Sequence, residues 1–441
     1  MTIPLSGLEA LANPAAPAQR RCGVVSAADG ATVTITGLAD RAKLGDPVHI
    51  GPSVKEPGLT GEIVALTREE AQAMTVGSHA GVALGDRVWL TPSASLRPCD
   101  GWLGRVIDSH GEPLDGAPLP QGDVVASLHA PPPPAARRAG LGPRLKTGLA
   151  ATDSVLPIAR AQRIGMFAGS GVGKSRLLAQ LARRMEADVV VFALIGERGR
   201  ELNDFIMRGL GPEGFARSVV VAATSDESPL NRRRAAWTAT AVAESFRDAG
   251  KHVLLIFDSL TRFAEAHREI ALTAGETPSL RAYPPSTASV IAQLAERAGP
   301  SVIGAEGAIT AIFSVLVAGS DMEEPVADIT RGLLDGHIIL DRAIAERGRF
   351  PAIDVGRSVS RALPEAADAA ENRLISDCRR LVSLYEQAAP MVRTGLYQKG
   401  ADPETDRAVD LFPALDAFFG SSVADEEDAF VRLSALISNT G

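Results

Sequence analysis

At 441 residues, 45% hydrophobic and only 4% aromatic, the chain is long enough for two or three domains with cores of Ala, Val, Leu and Ile. Its net charge of −8 gives no reason to expect nucleic acid as the main partner, and its scattered cysteines, Cys22, Cys99 and Cys378, point to neither a disulfide framework nor a zinc site and fit a reducing cytoplasm. The longest apolar runs, at 189–195 and 311–318, fall far below the ~18 residues of a membrane span, and the first residues lack the pattern of a signal segment, so work at a membrane is expected to run through partners.

Residues 1–20 are rich in Ala and Pro and read as a flexible segment, although Ile3, Leu5, Leu8 and Leu11 would share one face of a short helix. From 21 to 95, short β-rich runs (24–25, 32–35, 47–50, 61–66 and 87–90) alternate with Gly- and Asp-containing turns, which predicts a small β-barrel. A turn-rich connection at 100–116 and a stiff proline run at 131–134 follow. Arg137 and Arg138 come next, expected in solvent or against a neighbouring chain. From Leu145 the pattern becomes α/β: apolar strands at 164–167, 189–195, 218–222, 253–258, 309–317 and 337–340 alternate with helical stretches such as 231–249. This predicts a mostly parallel, doubly wound sheet within a domain spanning 96–362, with ligands at the carboxyl ends of its strands. Over 363–441 the strands stop, and helices at 372–388, 406–419 and 429–438 form a C-terminal helical domain.

The stretch AGSGVGKS at 168–175 joins a strand to a helix in the layout of a phosphate-binding P-loop. Gly169, Gly171 and Gly173 free the backbone, so that N–H groups, those of Ser170 and Val172 included, turn inward on a polyphosphate. Lys174 would reach the β- and γ-phosphates, the Ser175 hydroxyl would ligate Mg²⁺, and Arg176 follows in the first helical turn. The pattern usually opens with Gly; Ala168 is small enough to fit. Asp258 ends an apolar strand, where a carboxylate would hold the Mg²⁺ shell or, in a plainer role, cap the next helix. Glu197 sits at another strand tip and would orient the attacking water, Arg198 would contact phosphate, and Glu201 would bind the metal's water shell. By periodicity alone, 196–201 reads instead as a solvated loop with internal ion pairs. Arg361 follows what reads as the last sheet strand. It is either an ordinary surface arginine or a finger supplied to a neighbouring chain.

Together, AGSGVGKS, GER at 196–198, DSLTRF at 258–263 and PAIDVGRSVS at 351–360 resemble the rotary ATPase family of α and β subunits. The segments FDSLTRFAEAHREI (257–270), YPP (283–285), DGHIIL (335–340) and YQKGADPETD (397–406) are similar to its type III secretion branch, with the flagellar export ATPases favoured. The resemblance covers about residues 22–420. It implies an N-terminal β-barrel, a RecA-like P-loop ATPase domain, a C-terminal helical domain and a homohexamer with ATP and Mg²⁺ between subunits. It also implies that Lys174 and Ser175 bind phosphate and Mg²⁺, that Glu197 is the catalytic carboxylate, and that Asp258 is the Walker B carboxylate. Arg361 becomes the finger acting on the neighbour's γ-phosphate, and Phe350 takes the place of an aromatic, commonly Tyr, against the adenine. The family has non-catalytic subunits that lack the Glu at the position of Glu197, so this resembles a catalytic chain. Family partners are a stator-like peripheral regulator at the N-terminus, a central stalk protein, an export-gate membrane protein and chaperone–substrate complexes. The implied location is cytoplasmic, peripheral to the inner-membrane export apparatus. The alternatives are a virulence-type secretion ATPase, a proton-coupled rotary ATPase subunit, a RecA-type nucleic-acid translocase and a nucleotide-gated scaffold.

Overall fold

The computed structural model describes residues 22–30, 32–78, 80–93, 95–317, 321–400, 402–424 and 427–438. Residues 1–20, expected to be a flexible segment that meets a regulator, lie outside the described residues. Six strands form a closed barrel: β1 (Cys22–Ala28), β2 (Thr32–Thr36), β3 (Pro47–Ile50), β4 (Leu59–Leu66), β5 (Glu70–Thr75) and β6 (Arg87–Leu90). The order is β1-β2-β5-β4-β3-β6, closed by antiparallel pairing of β6 with β1. Val25, Val33, Ile35, Val48, Ile63, Ala73 and Val88 fill its core. Gly23 is required where β1 meets β2, because a Cβ there would lie 2.7 Å from the Thr36 carbonyl oxygen. β5 has no counterpart among the sequence-predicted runs. Its EAQAMT carries one large apolar residue, Met74, which lies on the other face, while Ala71, Ala73 and Thr75 alternate inward, small enough for a narrow barrel.

The second compact unit holds a nine-stranded sheet. Its strands are β7 (Arg105–Ile107), β8 (Arg163–Ala168), β9 (Val189–Glu197), β10 (Ser218–Thr224), β11 (His252–Asp258), β12 (Gly299–Pro300), β13 (Ala308–Leu316), β14 (Gly336–Leu340) and β15 (Ile353–Ser360). The order is β15-β14-β8-β13-β11-β9-β10-β7, parallel from β14 to β7, with β15 antiparallel on β14 and the short β12 antiparallel on β13. The longer helices are α1 (Lys174–Arg184), α2 (Pro229–Asp248), α3 (Leu260–Thr273), α4 (Ser286–Arg297), α5 (Pro325–Leu333), α6 (Ala369–Thr394), α7 (Pro403–Phe419) and α8 (Ala429–Ser438).

Both faces of the sheet are covered, which is why its central strands are apolar throughout rather than alternating. In β9, Val190, Phe192 and Leu194 face the cluster that holds Leu177, Leu178 and Leu181 of α1. Val189, Val191, Ala193 and Ile195 face the opposite cluster, with Trp237, Phe263, Ile291 and Leu294. The C-terminal helices belong to the first of these cores: Leu381, Leu411, Leu415 and Phe418 pack in the same cluster as α1. Asp368 caps α6 in a reciprocal box with Glu371, and Glu371 also pairs with Arg144 at 2.8 Å. Tyr385 of α6 stacks on Phe412 of α7, with ring centroids 3.5 Å apart.

Arg138 differs from its sequence expectation. It is neither solvated nor turned to another chain, because Glu296 of α4 accepts from its Nη1 at 2.6 Å and the Glu296 and Pro133 carbonyls accept from its Nη2. The connection after the proline run is thus anchored to its own sheet domain.

Candidate active site

β8 ends at Ala168 and the chain turns through Gly171 and Gly173, with φ of 78° and 88°, before α1 starts at Lys174. Those left-handed angles require glycine. No side chain caps α1, so its first N–H groups stay available to an anion, with the helix dipole behind them. Val172 is buried and anchors the loop in the core below.

Strand order brings the charged groups together. β13 lies between β8 and β11, so a buried side chain of β13 sits between Lys174 and Asp258. That side chain is Ser314. Its hydroxyl donates to Asp258 Oδ1 at 2.6 Å, and Lys174 Nζ lies on the same carboxylate oxygen and 3.5 Å from Ser314 Oγ. Next to β11, β9 carries Glu197 at its tip. A cavity of about 560 Å³ opens here, bordered by Ser175, Arg176, Glu197, Glu201 and Asp258. Burial pushes the Glu197 carboxyl up to about 7, helped by the negative charge of Asp258 and by Glu201, and opposed by Lys174. Arg198 is largely exposed and pairs with Glu201 at 3.3 Å. The lining and the pairing hold at once: Glu197 and Glu201 face the cavity, while Arg198 reaches into solvent.

The other candidates fall at opposite ends of one strand. Phe350 precedes β15 at the P-loop end, its ring 3.3 Å from where a Cβ on Gly173 would stand, with nearly half its surface exposed. Leu340 pairs with both Ala168 and Ile353, which fixes that end of β15 beside the loop. Gly336 pairs with Ser360, and the Arg361 amide donates to Asp335, whose own amide donates to Arg163 at the start of β8. Arg361 is therefore exposed at the amino edge of the parallel sheet. β15 bulges between Asp354 and Val359, so its two ends stand only as far apart as Gly336 and Leu340 on β14, roughly 13 Å at about 3.3 Å per residue, with Arg361 at the end away from the P-loop of its own chain. The sequence pattern predicts no strand here; β15 runs to Ser360, so Arg361 directly follows an edge strand of the sheet.

Two neighbours of the loop carried no role in the sequence reading. Ser314 is one; its signal was a lone hydroxyl in a buried apolar run, shared with Thr310. The other is Arg262, which lies over Gly196, pairs with Glu265 at 2.8 Å and lines a second cavity with Ser170 and Tyr283.

The profile of the ATP synthase alpha/beta family nucleotide-binding domain matches residues 148–360. The flagellum-specific ATP synthase of Caulobacter vibrioides is 46% identical over 413 residues, 92% of each chain. The chain is an ATPase of the ATP synthase alpha/beta family. The C-terminal domain profile of the type III secretion ATPase EscN matches residues 367–430. The flagellum-specific ATP synthase of Salmonella typhimurium is 43% identical over 95% of this chain and 94% of its own. A solved structure of the assembled ATPase EscN from the enteropathogenic E. coli type III secretion system superposes with a TM-score of 0.87, at 35% identity, covering 94% of this chain and 100% of that one. This family membership agrees with the expected fold: a small barrel, a mostly parallel P-loop domain and C-terminal helices. Among the described residues, no helix is long and apolar enough to cross a membrane.

Proposed function

We propose that this family member hydrolyses ATP at the interfaces of a homohexameric ring that serves the flagellar export apparatus. The observation that carries the interface reading is the position of Arg361, a strand's length from its own P-loop and exposed. A second copy of the chain would bring such a guanidinium to the γ-phosphate, as an arginine finger. The flagellar assignment is supported by the 46% and 43% identities to flagellum-specific relatives.

In this reading the phosphates lie on the N–H groups of residues 169–175, and Lys174 moves from Asp258 to the phosphate oxygens. Ser175 and Asp258, with Glu201 at the edge, supply hard oxygen donors on the cavity wall, the donor type that suits Mg²⁺. Held by these residues, such an ion would supply positive charge against the phosphates. Glu197 accepts a hydrogen bond from the attacking water; its elevated pKa makes it a better proton acceptor near neutral pH than an ordinary carboxylate. Arg198, largely exposed, exchanges its pairing with Glu201 for a phosphate contact, and Phe350 stacks on the adenine. The C-terminal helices meet a central stalk protein, as the relative EscN is captured in complex with its central stalk EscO. The N-terminus meets a stator-like regulator, and an export-gate protein and chaperone–substrate complexes complete the partners. The protein works in the cytoplasm at the inner-membrane export apparatus.

Mixed rings test this. Arg361→Ala and Glu197→Gln are each expected to lower turnover, the first by about 10³-fold or more. Mixed together, the Glu197→Gln chains donate intact arginines to chains with intact Glu197, and part of the activity returns. Mixed rings that form and stay inactive would remove the shared site.

A further inference from the structure

The loop that carries Phe350 is held by one buried guanidinium. The Arg349 side chain is 9% exposed and lies between that loop and α7. Its Nη1 donates to the Pro351 carbonyl at 3.1 Å and its Nη2 to the Ile353 carbonyl at 2.8 Å. Its Nε lies 2.9 Å from Asp416 Oδ1 of α7, an ion pair rather than an aligned hydrogen bond. The end of α7 also presses on this loop: a Cβ on Gly420 would stand 3.1 Å from Arg349 Cγ and 3.4 Å from the Phe350 carbonyl oxygen. Burial lowers the Arg349 pKa, with Asp416 opposing, so the contact to Asp416 compensates a desolvated charge. Two carbonyls just after Phe350 and one carboxylate on a helix thus converge on a single planar fork, a geometry that Lys cannot reproduce.

From this we infer that Arg349 is the positioning residue of the nucleotide-base platform: it clamps the turn carrying Phe350 to α7, so that the C-terminal helices set where the ring stands beside Gly173. The inference rests on the reading of Phe350 as the surface that stacks on adenine. It adds to that reading a residue that touches no nucleotide, and a route by which whatever binds the C-terminal helices would alter nucleotide affinity. The phosphate half of the site is held separately, by the strand tips and α1.

The experiment uses the full chain with three single variants and one double. Phe350→Ala is expected to raise KM for ATP by about 5- to 100-fold, the range of base stacking on an aromatic ring. Arg349→Met keeps the aliphatic stem and loses the fork; it is expected to raise KM about fivefold while kcat stays within about twofold. Asp416→Asn removes only the tie to α7 and guards against misfolding of the first variant; a smaller KM rise of the same kind is expected. In the Phe350→Ala background, Arg349→Met should add nothing, because the platform it positions is gone. Inhibition by inorganic tripolyphosphate, which has no base, should be unchanged in all. If Phe350→Ala leaves KM unmoved, the platform reading fails and the inference falls with it. If Phe350→Ala raises KM but Arg349→Met does not, or raises it again in the double variant, the role of Arg349 alone is overturned.

Discussion

Two ion pairs in the sheet domain are almost equally buried and have opposite surroundings. Lys174 and Asp258 are 9% and 4% exposed, and Arg297 and Glu244 are 2% and 7% exposed. Around Arg297 everything is closed. Its Nε and Nη2 take both Glu244 oxygens at 3.0 and 2.5 Å, and Nη1 donates to the Leu128 carbonyl at 2.5 Å, so the pair rivets the connection after the barrel to α2 and α4. Around Lys174, one side is a cavity of about 560 Å³, and Asp258 there also accepts from Ser314. Burial alone therefore does not mark a functional charge pair. The mark is a buried pair with an open side, where a ligand of the right charge can take one partner from the other.

That contrast can be broken experimentally, starting with its larger half. Lys174→Met is expected to lower kcat on the order of 10³-fold, the loss seen when one preorganised charge donor is removed from a transition state. Its melting temperature should hardly move, since Asp258 keeps Ser314 and gains cavity water. Arg297→Met should do the reverse. Leaving the buried Glu244 with only Arg247, 3.9 Å away, in place of its two-bond partner costs about 3 kcal/mol of stability, read from denaturant unfolding, while KM of the folded fraction stays at the wild-type value. If both variants lost only stability, the distinction between the pairs would be void. Ser314→Ala sharpens the picture at a smaller scale. It removes a 2.6 Å donor from a carboxylate, and a loss of about tenfold in kcat/KM is expected, the value of one hydrogen bond to a charged group.

The amount that could be read from sequence follows the same division. The central strands were legible because both of their faces are buried and nearly every residue is apolar; Val189–Glu197 is the clearest case. The P-loop was legible because phosphate binding needs glycines at fixed spacing. β15 was not, since its IDVGRSVS exposes Gly356, Arg357 and Val359 and carries no long apolar run. Ser314 and Arg349 were illegible for a deeper reason. Each acts through neighbours supplied by strand order or by a distant helix, and neither the place of β13 between β8 and β11 nor the packing of α7 on the 349–351 turn is written in local pattern. The assignment of α6 began at 372 rather than at Ala369 because its first turn, AAE, carries no apolar periodicity; only the Asp368–Glu371 box marks it.

The last expected effect concerns pH and comes from the open pair's neighbour. In the nucleotide-free protein the Glu197 carboxyl titrates near 7, above its ordinary value of 4.5, because burial and the charge of Asp258 disfavour its ionised form. A carboxyl whose folded pKa is raised binds its proton more tightly in the native state than in the unfolded chain. Its contribution to stability is therefore complete below about 4.5 and is lost as pH climbs through about 7. Glu197→Gln fixes the neutral form with the same shape. Melting temperatures of the two proteins should then coincide near pH 4 and separate toward pH 8, with the variant the more stable, and other titrating groups cancel in the difference. Activity has the opposite sign: kcat/KM should fall as pH drops below about 7, where Glu197 holds its proton and cannot accept the water's. A difference in melting temperature that stays flat from pH 5 to 8 would mean that Glu197 ionises like an exposed carboxylate, and that the cavity beside Asp258 is wet enough to solvate both charges at once.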